Sequence, residues 1–295
     1  MNNLSGVLNI YKEKGYTSSD AVSVVRKALG YVKAGHAGTL DPQAEGVLPV
    51  CVGRASKIAD YIGGDKCYRA RLVLGITTDT DDLTGRILTE NPVNTNRTGL
   101  ENAAKSFLGK TLQTPPMYSA IKVNGKKLYE LARAGKTAER TPRGIEISSI
   151  EIIEYNDETH TAVMDIACSK GTYIRSLCAD IGRALGCGGC MGGLIRTRSG
   201  PFISEDSITL DTLRTLTAAG RINDVLYPIE AVLKYETVHA PAADVKRIVN
   251  GGSFRAGGGG VREGGLVFVE ADGVISGIFI REGDWYKPRV MLTGE

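Results

Sequence analysis

The sequence predicts an α+β protein of 295 residues, with a large domain over residues 1–234 and a small β domain over residues 235–295. Three observations predict this. Lys66 to Gly75, KCYRARLVLG, alternates as a strand does: Tyr68, Ala70, Leu72 and Leu74 share one face, and Arg69, Arg71 and Val73 share the other. Val22, Val25 and Leu29 recur at helical intervals. From about Tyr235 the chain changes character to short strands and glycine loops.

Taken in order, Gly6 to Ile10 is a short apolar strand. Thr17 to Asp20 has capping-box spacing and starts a helix that Gly30 can end. Val47 to Val52 is an apolar run of the length of a buried strand, closed by Gly53. An amphipathic segment with Ala55, Ile58, Ala59 and Ile62 follows it. Asp79 to Gly85 lacks the ligand order of a calcium loop and reads as a polar hairpin turn. Leu100 to Phe107 reads as a surface helix. Ile145 to Tyr155 and His160 to Cys168 read as strands joined by the polar turn Asn156 to Thr159. An apolar-periodic helix then runs to about Gly186, and Gly188, Gly189, Gly192 and Gly193 suggest a tight turn. Ser207 to Ala219 reads as a helix, and Val225 to Leu233 closes the large domain. Gly257 to Gly260 reads as a flexible loop, because the Gly-Lys-Ser/Thr ending of a phosphate-binding loop is missing.

An apolar share of 42% supports a real core and argues against wholesale disorder. A net charge of +3 says little by itself; basic residues matter where they cluster. No N-terminal signal pattern and no bilayer-spanning apolar run is seen, so the expected location is the cytoplasm. The six cysteines, at 51, 67, 168, 178, 187 and 190, are then expected to be thiols. Cys187 and Cys190 have metal-ligand spacing but no second pair or nearby histidine, so two reduced thiols are the better reading.

Three stretches stand out chemically. In Gly35 to Lys57, Asp41 precedes Pro42, which pushes it out of helical geometry and into a rigid, extended turn. Its bland reading is a turn aspartate bonding its own backbone. Thr114 to Arg143 carries Lys122, Lys126, Lys127, Arg133, Lys136, Arg140 and Arg143 interleaved with Tyr118 and Tyr129, a pattern suited to a phosphate backbone with unstacked bases. Lys170 to Arg175 reads KGTYIR; Tyr173 and Arg175 share a face if that segment is still strand.

GHAGTLDPQAEGVLPVCVG closely resembles the catalytic motif of TruB-type tRNA pseudouridine synthases, GHxGTLDPxAxGVLPxxxG. KCYRARLVLG, PPMYSAIKVNGKKLYELAR and KGTYIR resemble further signatures of that family, so the likeness spans nearly the whole chain. The resemblance implies a long mixed, mostly antiparallel sheet flanked by helices, with a small C-terminal PUA-like RNA-binding domain. It implies that Asp41 is the nucleophile and that His36 helps hold a flipped loop. It further implies that Tyr68 stacks on the target base, that Tyr173 and Leu194 close the pocket, and that Arg175 of KGTYIR is a substrate-binding residue of the site. An arginine near Asp41 would keep that carboxylate ionised and oriented, against a bland reading as a surface salt bridge. Lys12 matches a family lysine and is expected to touch the substrate near the site, although its neighbours Tyr11 and Glu13 depart from the family's Asp-Lys-Pro. Residues 114–143 correspond to an RNA-gripping insertion. Ile195 stands where the family has the first of two arginines, while Leu194 and Arg196 match. The family carries histidine where Cys190 stands, which also argues against a shared metal role.

The implied reaction isomerises the T-loop uridine of tRNA, U55, to pseudouridine, with the base flipped out. The substrate is the T arm, and the enzyme is expected to act as a monomer without an obligate protein partner. The chemistry breaks the N1–C1′ bond, rotates uracil and rejoins it through C5. No redox change, metal, cofactor or nucleotide energy source is required. Carboxylates have reference pKa values of ~3.9 and are nucleophilic at neutral pH. Attack at C1′, addition at C6 and deprotonation at C2′ all remain open routes. Two other classes compete. A non-catalytic or guide-dependent RNA-binding homologue is disfavoured by the full set of Asp41, Tyr68 and Arg175 and by the long basic insertion. A glycosidase-like hydrolase wants paired carboxylates, and the motif offers only Glu45 nearby.

Overall fold

The computed structural model describes residues 4–123, 125–256 and 260–293. Most of the glycine loop expected over Gly257 to Gly260 lies outside the described residues. The large sheet has ten strands. Its main path runs Leu226–Tyr227, Gly6–Lys12, Glu45–Val52, Gly189–Ser199, Lys66–Leu74, Thr161–Cys168, Arg143–Asn156 and Gly109–Gln113. All neighbours are antiparallel except Glu45–Val52 with Gly189–Ser199, which run parallel. That single parallel pairing sets Arg196 beside Gly46 at the exit of the Asp41 turn.

Local signals explain the elements flanking the sheet. The helix Ser18–Ala28 begins at a complete capping box, in which Thr17 and Asp20 bond each other's backbone amides. Its Val22 and Val25, with the following Leu29, bury against Leu8, Leu48 and Val50. On the other side, the helix Ile174–Ala184 packs across the sheet. A side chain on Gly182 would sit 2.2 Å from the Gly189 nitrogen, so helix and strand meet backbone to backbone. This replaces the expected glycine turn. Gly189, Gly192 and Gly193 lie within a strand, and only Gly188, at φ +77°, turns the chain. The glycines there serve close packing, not reversal.

A second sheet of five strands occupies Thr237–Met291. Lys246 to Val249 belongs to a short helix, Val245–Val249, that packs against this sheet's own core. The two sheets also share a cluster: Phe268, Ile278 and Leu292 meet Val7, Val47, Cys51, Ala55, Ile58 and Phe202. Arg54 and Lys57 add bonds to the carbonyls of Leu292 and Met291. Each fully buried apolar side chain is worth roughly 1.5–3 kcal/mol. Cutting the chain after Lys234 therefore removes about 5 kcal/mol or more from a total stability of order 5–15. The truncated chain is expected to melt at least ~10 °C below the full one, or to aggregate. A truncation that melts within a few degrees of the full chain would contradict the shared core.

In the basic insertion, Lys122–Val123 and Lys126–Lys127 form a small hairpin leading into the helix Leu128–Arg133. The Tyr129 ring lies beneath two cations, Lys127 at 5.4 Å and Arg133 at 5.5 Å. Among the described residues, no helix is long and apolar enough to cross a membrane.

Candidate active site

The turn Gly38–Pro42 links the strand Ala34–His36 to the strand Glu45–Val52. Five successive backbone carbonyls in it are bonded. Arg196 donates to Gly38 and Thr39 at 3.2 Å each. The Ser18 hydroxyl donates to Leu40 at 3.1 Å and accepts that residue's N–H at 2.8 Å. The Ala44 N–H donates to the Asp41 carbonyl at 3.0 Å, and the Gly15 N–H to that of Pro42 at 2.8 Å. The turn is thus fixed through its main chain, leaving the Asp41 side chain unburdened. Asp41 keeps 43% of its side-chain surface open, so a substrate can reach it.

The Asp41 carboxylate pairs with Arg175 through Oδ2 and Nε at 2.9 Å. Arg175 itself is buried and donates to the carbonyls of Thr80 at 3.0 Å and Tyr118 at 2.8 Å. Asp82 lies 3.8 Å away. The strand before this segment ends at Cys168, so Arg175 stands in the first turn of the helix Ile174–Ala184, with Tyr173 as its N-cap. Strand-face sharing between Tyr173 and Arg175 is therefore not what brings Arg175 to Asp41. A cation there opposes the helix dipole by about 0.3–1 kcal/mol. Hydrogen bonds to charged groups, roughly 1.5–3 kcal/mol each, outweigh that. The loop at Thr80 to Asp82 is consequently more than a polar hairpin: it supplies one wall of the Arg175 socket, with Asp81 in the left-handed region at φ 61°. Tyr173 is held by Gln113, which accepts its N–H and donates to its carbonyl.

Lys12 is fully buried. Its ammonium donates to the carbonyls of Tyr16 at 2.6 Å, Glu13 at 3.0 Å and Pro42 at 3.4 Å. Burial lowers its pKa to about 8 even though Glu45 and Asp41 pull the other way. Lys12 thus has its donors turned inward and braces the turn from below.

Tyr68 is 7% exposed and packs with Leu40, Ala44, Ala70 and Ile174. Burial raises its pKa, against the pull of the nearby Arg196 guanidinium. Arg196 sits opposite Tyr68 in the strand register and is wholly buried. It also donates to the Val47 carbonyl at 2.7 Å. Leu194 lies two residues away, opposite Ala70, and is half-buried against the same cluster. His36 is half-buried; its pKa is lowered by burial and by the neighbouring Arg196 and Lys66. Asp41 and Arg175 thus meet directly, and Tyr68 joins them through Arg196 and the turn. The sequence reading missed Arg196 as a site residue. Its signal was the single matching arginine after Ile195, which is itself only half-buried.

Comparison with known proteins matches most of these elements to two successive family domains. The profile described as TruB family pseudouridylate synthase (N terminal domain) covers residues 26–174. The tRNA pseudouridylate synthase B C-terminal domain covers residues 175–234. The chain belongs to the TruB family of pseudouridylate synthases. It is therefore an isomerase. TruB relatives include the tRNA pseudouridine synthase B of Alkaliphilus oremlandii, 48% identical over 84% of this chain and 82% of that one. That of Clostridium novyi is 47% identical over 84% of both. Among solved structures, a chain in the crystal structure of a Cbf5-Nop10-Gar1 complex aligns with a TM-score of 0.74 at 26% identity. That alignment covers 98% of this chain and 85% of the other, so the likeness in fold to that chain extends through the C-terminal sheet.

Proposed function

We propose that this protein converts the T-loop uridine of tRNA, U55, to pseudouridine with Asp41 as the nucleophile. The carrying observation is the Asp41–Arg175 contact at 2.9 Å, with the carboxylate open to solvent and the arginine buried behind it. A half-exposed anion on a turn bonded at five carbonyls is oriented before substrate arrives, which lowers the cost of reaching the transition state. The uridine is flipped out of its stack at a cost of roughly a few kcal/mol. Stacking on Tyr68 returns about 1–3 kcal/mol of that. Tyr173 and Leu194 close the pocket, and His36 supports the displaced loop. The insertion over residues 114–143 and a PUA-like C-terminal domain over residues 235–295 add RNA contacts. The reading places the protein in the cytoplasm as a monomer with tRNA as its partner.

Position mapping on unmodified tRNA tests the reading. Pseudouridine at the T-loop uridine with no free uracil is expected; release of free uracil would identify a hydrolase instead. Tyr68 gives a narrower test. Burial keeps its hydroxyl neutral at rest and the Arg196 charge works against that trend, so a role as the C5 base requires the phenol first to pass its own proton to the substrate or solvent. Tyr68→Phe is expected to slow single turnover at least about tenfold with tRNA affinity unchanged. Tyr68→Leu should be slower still. If the phenylalanine variant keeps the wild-type rate, Tyr68 is a stacking platform only.

A further inference from the structure

Two cationic side chains, Lys66 and Arg196, meet beside Gly38 with no acid to balance them. Arg196 spends its donors on the carbonyls of Val47, Thr39 and Gly38. Lys66 reaches over Gly38, so that a side chain placed on Gly38 would come within 3.0 Å of its ammonium and 3.6 Å of the Arg196 guanidinium. The His36 Nδ1 is buried and has no hydrogen-bond partner. Among the described residues, no carboxylate lies within 4 Å of Lys66, Lys170 or Arg196. Gly38 has φ +114°, and its lack of a side chain is what lets the Lys66 ammonium lie over it.

We infer that Lys66, with His36 beside it and Gly38 as its floor, binds a phosphodiester of the substrate strand next to the uridine held at Asp41. The inference rests on the function proposed above. An uncompensated pair of cations is costly without an anion, and a phosphate supplies charge together with several acceptor oxygens. Burial is the main cause holding the Lys66 pKa down to about 8, followed by Arg196; an arriving anion would reverse that trend. Gly38 lies three residues from Asp41, about 11 Å of chain at most, so the phosphate is a near neighbour of the reacting sugar. Exposed Lys170 extends the positive surface outward from Lys66.

The test measures affinity for a T-arm RNA across a salt series, for wild type, Lys66→Gln, Lys66→Arg and the remote control Lys27→Gln. Loss of one phosphate contact lowers the log–log salt slope by about 0.7–1. Lys66→Gln should show that loss with an affinity about three- to tenfold weaker, Lys66→Arg should recover most of it, and Lys27→Gln should match wild type. An RNA with a neutral methylphosphonate on the 5′ or 3′ side of the target uridine identifies the source of the phosphate. At one of these positions it should weaken wild type by a similar factor and Lys66→Gln no further. An unchanged slope for Lys66→Gln, or methylphosphonate effects equal in both proteins at both positions, overturns the inference. If wild type makes no pseudouridine in this RNA, the functional reading itself fails; if it does and the Lys66 results are null, only the phosphate site fails.

Discussion

Asp41→Asn binds tRNA within about threefold of wild type and forms pseudouridine more than about a thousandfold more slowly, a loss of roughly 4 kcal/mol in the barrier. The separation of the two effects follows from how the turn is built. Its carbonyls are held by Arg196, Ser18, Ala44, Gly15 and Lys12, none of which bonds the Asp41 side chain. Asparagine retains an oxygen that can accept from Arg175, so the buried guanidinium keeps a partner there as well as at Thr80 and Tyr118. The pair is about half open to water on the carboxylate side, which limits its stabilising share to about 1 kcal/mol or less. What the substitution removes is nucleophilicity, since a neutral amide oxygen neither attacks a sugar carbon nor stabilises its positive character. Single-turnover kinetics with a sample free of wild-type enzyme measures this. Turnover within tenfold of wild type would exclude Asp41 as the nucleophile.

The parts of this site that the sequence made legible are those with a local cause. The capping box at Thr17 fixed a helix start, and strict alternation in KCYRARLVLG put Tyr68 and Ala70 on the buried face of a strand. Asp-Pro placed Asp41 on a turn for steric reasons that need no tertiary information. What was not legible depends on partners distant in the chain. The Arg175 side chain reaches carbonyls 95 and 57 residues away. Lys12 looks solvated as a lone lysine, and only the carbonyl of Pro42, 30 residues on, shows that it is a brace. The glycines from 188 to 193 have the composition of a turn, yet a helix pressed against Gly189 keeps three of them in a strand. The C-terminal segment reads as separate because its composition changes at Tyr235, whereas Phe268 and Ile278 are buried against the first domain. Periodicity reports which face is apolar, not what covers it.

Arg196→Met is expected to cost about 2–4 kcal/mol of stability and at least a hundredfold in rate. Arg196 is completely buried without a carboxylate partner, so burial presses its pKa downward and the charge itself is expensive to keep. Its retention is explained by what it donates to. Methionine fills similar space but leaves the carbonyls of Val47, Thr39 and Gly38 without donors, at roughly 1–3 kcal/mol for each that water cannot reach. Relief of the buried charge offsets part of this, which gives the net figure. A loss of that size lowers the melting temperature by about 5–15 °C in a chain this long. The rate falls because the turn carrying Asp41 loses two of its anchors, and a displacement of about 1 Å at a reacting group costs on the order of a hundredfold. Arg196→Lys restores the charge but not the planar fork that spans three carbonyls, so it should recover stability only in part. Hydrogen exchange separates a loosened turn from global unfolding: the amides of Leu40 and Ala44, bonded to Ser18 and Asp41, should lose protection in Arg196→Met while amides of the Lys66–Leu74 strand keep theirs. An Arg196→Met protein with wild-type melting, rate and turn protection would show that the turn is held in place without it.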